Sequence, residues 1–195
     1  MSQRFFDVFP TLVLEGDCRA YMELSTVERI ATTRARDLYK VYITCNRLIE
    51  KQHIYQIEKE LQRQLFSAAE EAVGTAVPDV KIYEKFQLSD QYDVKHLFDV
   101  YMDSILLELK TYSPVLYSMV KKGEFTYPDE KNVILSVENI PLHHQKEHEL
   151  LDILGKIVCE RCGITAVFDL VYTEPQESRF RKEDDIRIAR KVEEI

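Results

Sequence analysis

His144, Glu147 and His148 stand in the spacing H-x-x-E-H. On a helix that spacing sets two imidazoles one turn apart on one face, where they can hold a zinc ion while the carboxylate serves as general base. The pattern falls in the first, polar turns of a surface helix. A zinc site of this kind also needs a third protein ligand, and the sequence names none. A solvated helix face is the reading adopted.

Cys159 and Cys162 have C-x-x-C spacing. A redox pair sits at a helix N-terminus, where the dipole lowers the thiol pKa. This pair closes a helix, where the dipole acts the other way. Zinc would need a second pair, and Cys18 and Cys45 do not form one. The thiols are read as buried core groups. There is no Gly-rich phosphate loop, no G-x-S-x-G and no acidic pair set out for two metals. No catalytic, cofactor-binding or metal residue is therefore assigned, and partner-binding residues stay unassigned.

The elements that would position these side chains follow from periodicity. The longest helical signal covers 93–122, with Val94, Phe98, Tyr101, Ile105 and Leu109 on one stripe. Asp93 is its N-cap. Ser113-Pro114 reads as a break and restart, followed by a shorter helix that carries Val115, Leu116, Met119 and Val120 and stops at Gly123. Before this segment the order is strand, strand, helix, strand. A loosely alternating strand runs over 21–30, and Tyr39, Val41, Ile43 and Cys45 mark the next. A helix from Lys51 has Ile54, Ile57, Leu61 and Leu65 as its stripe, running through an alanine-rich stretch to the breakers Gly74 and Pro78. Val80, Ile82, Phe86 and Leu88 then share one strand face.

The order recurs after the central helices. A short strand is expected at 125–128, then Val133, Leu135 and Val137 alternate. A helix over 141–162 turns Leu150, Leu154, Ile157 and Val158 inward and ends at Gly163. The last strand, 165–172, is nearly apolar on both faces and is expected to be central in its sheet. The prediction is an α+β fold of two small strand-strand-helix-strand units joined by a central helical segment. Residues 1–15 form an N-terminal arm or short helix whose phenylalanines pack down, 16–92 the first unit, 93–122 the central helices and 123–174 the second unit. Residues 175–195 are a charged helix or linker, as in the front piece of a longer protein.

The chain has 195 residues and a formal net charge of −8. That balance opposes the counterion release on which sequence-independent nucleic-acid binding depends, and leans towards a protein partner. A KH-type RNA module would need a GXXG loop, and none occurs. The eleven tyrosines could stack on bases, but their spacing reads as packing. No apolar run approaches the roughly 20 residues that span a bilayer. Four scattered cysteines do not make a secreted disulfide scaffold, so the expected compartment is a reducing cytoplasm.

Several stretches resemble the N-terminal region of the PolC-type DNA polymerase III alpha chain of Gram-positive bacteria, especially its clostridial branch. They are FFDVFPTL at 5–12, VYITCNRLIEK at 41–51, YMDSILLELKTYSPV at 101–115, CERCG at 159–163 and VYTEPQESRFR at 171–181. The resemblance implies a parent DNA-directed DNA polymerase with a 3′–5′ exonuclease and a divalent metal such as magnesium. That chemistry lies in domains beyond this region, so no cofactor is expected here. The first half of the region is thought in the family to be similar to the polymerase-binding domain of the clamp-loader tau subunit. The expected role is thus a non-catalytic protein-docking module in DNA replication, with tau or another replisome protein as partner and no membrane. DNA is reached through the parent polymerase. The alternative is an auxiliary module for single-stranded DNA or primer-template.

Overall fold

In the computed structural model, residues 2–73, 77–88 and 92–174 are described. The expected tail 175–195 and the breaker Gly74 lie outside them. The chain is α+β, in two small sheets. The first takes the order β1 (Gln3–Arg4), β2 (Ser25–Thr32), β3 (Leu38–Cys45), β4 (Asp79–Phe86), and the second β5 (Glu124–Thr126), β6 (Asn132–Glu138), β7 (Val167–Thr173). In each, an antiparallel hairpin is followed by a helical crossover to a parallel strand: α3 (Lys51–Val73) joins β3 to β4, and α6 (Pro141–Gly155) leads from β6 towards β7.

Alternation in the sequence fixes which face each strand buries. Val41, Ile43 and Cys45 of β3 and Val133, Leu135 and Val137 of β6 all point into the core. Between the sheets lies α4 (Val94–Tyr112), followed by α5 (Pro114–Lys122). Asp93 caps α4 by accepting from the His96 amide at 2.7 Å, and Ser113 caps α5 with Pro114 in its first turn. One side of α4 packs Tyr101 edge-on against Phe86 of the first sheet. Another packs Phe98 against Phe125 and Phe168 of the second. The two units therefore share one hydrophobic core.

Several expectations need correction. Residues 21–23 are not strand: α2 (Gly16–Glu23) occupies them, burying Met22, and Ser25 donates to the Tyr21 carbonyl where the helix gives way to β2. The N-terminal phenylalanines, by contrast, pack down as expected, in a short helix, α1 (Phe5–Val8), with Phe5 fully buried. Leu65 does not complete the α3 stripe but stands 37% exposed. Strand β4 ends at Phe86, before Leu88, and Glu84 holds an inward position between Ile82 and Phe86. The short strand over 125–128 is β5, one residue earlier and ending at Thr126.

Gly123 ends α5 in an extended conformation, φ −73°, and not as a left-handed cap. A Cβ there would stand 2.5 Å from Leu135 Cδ1 and 2.6 Å from the Met119 carbonyl oxygen, so close approach to β6 is what requires glycine. Gly163, at φ +71°, does take the left-handed role expected of it. The helix over 141–162 is α-helical only to Gly155 and finishes as a π-helical turn, Lys156–Arg161. Strand β7 is at the edge, not the centre: it pairs with β6 alone, and Val167 and Val171 are exposed. Its two apolar faces have different fates, one covered by helices and one open.

Candidate functional site

The H-x-x-E-H residues are engaged in holding α6 to β7. The His144 ring stacks on Tyr172 at 3.8 Å between centroids, and its Nε2 lies 2.8 Å from Asn139 Oδ1. Glu147 accepts from the Tyr172 hydroxyl at 2.7 Å. Burial pushes that phenol up to about 12, with the Glu147 hydrogen bond acting in the same direction. His148 is exposed on the same helix face. Among the described residues, no three His, Cys, Asp or Glu side chains converge to hold a metal.

The cysteine pair lies in and just after the π-helical turn. Cys162 is buried, and its thiol is pushed up to about 12 by that burial. Cys159 is half-buried and donates to the Ala166 carbonyl at 3.4 Å. Cys159 thus ties the turn to the residue just before β7, while Cys162 lies near Glu84 and Glu108. Cys45 is buried in the first sheet, and Cys18 is half-buried beside Gln56.

A cluster of charges where α3, β4, α4 and the π-helical turn meet was not foreseen. Lys51, at the start of α3, places Nζ 2.8 Å from Glu84 of β4 and 3.9 Å from Glu108 of α4. Arg161, from the π-helical turn, donates to both carboxylate oxygens of Glu108 at 2.7 and 2.8 Å and stands 3.4 Å from Glu84. Two cations thus face two anions, and they come from both units and the helix between them. Burial acts to raise the Glu108 carboxyl, but the forked hydrogen bond and charge of Arg161, with Lys51 behind it, outweigh burial and hold it below the usual range. Nearby Glu58 is the opposite case: burial raises its carboxyl although it accepts from the Ile82 amide at 2.8 Å and from Lys81. That contact caps the free edge of β4. The sequence did carry a signal for the cluster, since Glu84 interrupts an inward row of apolar residues.

Each sheet also leaves one face uncovered, and the two faces differ in chemistry. On the second, Val167 and Val171 are 59% and 44% exposed beside half-buried Ile134, with Glu124, Glu138 and Asp169 around them. On the first, register sets Arg29, Tyr42 and Tyr83 in one row across β2, β3 and β4. The Arg29 guanidinium lies 4.0 Å from the Tyr42 ring centroid, and the Tyr42 and Tyr83 rings stack at 5.0 Å.

These features define an α+β protein of two strand-strand-helix-strand units, joined through a partly buried charge cluster and presenting two open sheet faces. Residues 4–73 match the family model described as DNA polymerase III polC-type N-terminus I. The match runs from β1 through α3 and so covers most of the first unit. No curated protein sequence matches the chain. None of the helices among the described residues is long and apolar enough to cross a membrane.

Proposed function

We propose that the chain is a protein-docking module in the N-terminal region of a polC-type DNA polymerase III, holding the polymerase in the replisome through the clamp-loader tau subunit, in the cytoplasm. The observation that carries this reading is the open face of the second sheet. On the edge strand β7, Val167 and Val171 flank Asp169, which stands opposite Ile134, with Glu124 and Glu138 on the same face. Exposed apolar residues interleaved with carboxylates suit a protein partner that brings apolar and basic groups together. The free edge of β7 adds a row of backbone groups that an extended partner segment can pair with. The family match adds the setting, the N-terminus of a replicative polymerase.

The test is titration of the chain with tau. The double variant Val167→Thr/Val171→Thr keeps the β-branched shape, so its melting temperature should stay that of the parent chain. Each buried hydroxyl costs about 1–3 kcal/mol, so affinity should fall tenfold or more. Tau binding that is unchanged in this variant removes the assigned face, and no binding by the parent chain removes the docking role.

A further inference from the structure

The open face of the first sheet goes beyond that docking role. Its composition follows from strand alternation. In β4, Val80, Ile82, Glu84 and Phe86 turn inward, leaving Asp79, Lys81, Tyr83 and Lys85 on the outer face. In β3 the outward residues include Lys40, Tyr42 and Thr44. A bulge between Val27 and Arg29 in β2 resets the register so that Arg29 falls opposite Tyr42.

Three rows result. Arg29, Tyr42 and Tyr83 form the middle one. Arg4 of β1, Thr26, Thr44 and Lys85 lie on one side of it, and Ala31, Lys40 and Lys81 on the other. Rows on one face are two residues apart, roughly 6.6 Å. Cations therefore flank an aromatic pair on both sides. Lys81 is taken up by Glu58 at 3.2 Å, but Arg4, Arg29, Lys40 and Lys85 form no ion pair among the described residues. Of the acids nearby, Asp79 accepts from Gln62, and Glu28 sits in the bulge. A chain of net charge −8 has thus gathered unpaired positive charge on one sheet.

The aromatic pair supplies what electrostatics cannot. Arg29, Tyr42 and Tyr83 form a continuous pile, closed at one end by the guanidinium. Tyr83, 44% exposed on the edge strand, is its other end. On its far side Tyr83 also walls a 370 Å³ cleft that holds the charge cluster, with Glu58, Glu84 and Glu108 in its lining, and no ligand is assigned to that cleft. A flat unpaired base extends such a pile, whereas a base inside a duplex has no free face to offer. An acidic protein would satisfy the cations and leave the stack unused.

We infer that the open face of the first sheet binds single-stranded nucleic acid, its phosphates held by Arg4, Lys40 and Lys85 and one base stacked on Tyr83. The experiment is a fluorescence-anisotropy titration of the whole chain with a fluorescein-labelled oligothymidylate across a salt series. An oligouridylate, a duplex of equal length and polyglutamate are run as competitors. The oligothymidylate should bind at low salt, outcompete the duplex, and weaken as salt rises. Tyr83→Ala should lose roughly tenfold or more, whereas Tyr83→Phe, which keeps the ring, should bind as the parent does. Lys40→Gln and Lys85→Gln should each flatten the dependence of log affinity on log salt by about 0.7. Competition by oligouridylate on a par with oligothymidylate, or weaker, assigns the strand to either nucleic acid or to DNA, and both fit the site. No binding at low salt overturns the inference. So does full affinity in Tyr83→Ala, or displacement by polyglutamate as effective as by oligonucleotide, which would mark an acidic protein as the occupant. The Val167→Thr/Val171→Thr chain should bind oligonucleotide normally, so failure of this site and failure of the docking face read out separately.

Discussion

Replacing Arg161 with Met should destabilise the chain by about 3–5 kcal/mol, measured as a lowered denaturant midpoint. Arg161 donates to both oxygens of Glu108 and faces Glu84, whose carboxylate is buried. Removing it leaves two carboxylates to share Lys51 at 2.8 and 3.9 Å. A lone buried charge costs more than the pair contributed, because its desolvation is no longer offset. Exchanging Glu108 for Leu as well restores neutrality, with Lys51 and Glu84 still paired, and should recover most of the loss. Additive effects in that double-mutant cycle would show that the cluster is not coupled.

The pH dependence of this variant follows from signs. In the parent chain the Glu108 carboxyl is held low by Arg161, so its stabilising effect is present above the ordinary glutamate pKa of about 4.3 and is lost as pH falls through the lowered value. Glu58, raised by burial, acts the other way, since protonation relieves it as the pH drops. Without Arg161, only the more distant Lys51 still opposes burial at Glu108, so its carboxyl rises from the lowered value. The deficit of Arg161→Met should therefore be largest near neutral pH and narrow on acidification below about pH 4. A deficit that widens there contradicts the assigned pairing.

Phe5→Ala should cost about 3–5 kcal/mol, the range for emptying a buried aromatic site. Phe5 is fully buried, edge-on to Phe6 at 5.5 Å and tilted against Phe9 at 5.0 Å. Its neighbours in sequence, Gln3 and Arg4, add the strand that pairs with β2. The N-terminal residues thus belong to the first unit's core and carry Arg4 onto its open face. Urea unfolding measures the loss. A change below 1 kcal/mol would mean that the arm is not part of the cooperative core.

How far the sequence was legible divides along physical lines. Local signals carried through: alternation placed β3 and β6, and the caps at Asp93 and Ser113 and the stop at Gly163 are short-range chemistry. The repeated strand-strand-helix-strand order survives because periodicity reports a buried face directly. What failed depends on neighbours in space. An apolar run such as Val167 to Tyr172 cannot say whether a second strand lies beside it, so β7 was expected in the centre and stands at the edge. The eight-residue α2 is short enough for its pattern to pass as alternation.

The same limit hid both open faces and the charge cluster. No basic-aromatic run exists, since Arg4, Arg29, Lys40, Tyr42, Tyr83 and Lys85 come from four strands and meet only through register. Net charge pointed away from nucleic acid because it averages a basic sheet with an acidic remainder. Lys51, Glu84, Glu108 and Arg161 lie in four separate elements. Only Glu84, inward-facing among apolar residues, marked the place.

The central claim is that two sheets present two separate partner faces, one for a replisome protein and one for a single strand. The direct measurement is sedimentation of the whole chain with tau, repeated with labelled oligothymidylate present at saturation. The account predicts a ternary complex, with tau affinity unchanged by the oligonucleotide and lost selectively in Val167→Thr/Val171→Thr, while Tyr83→Ala loses only the oligonucleotide. Displacement of one ligand by the other, or loss of both in a single variant, would contradict it.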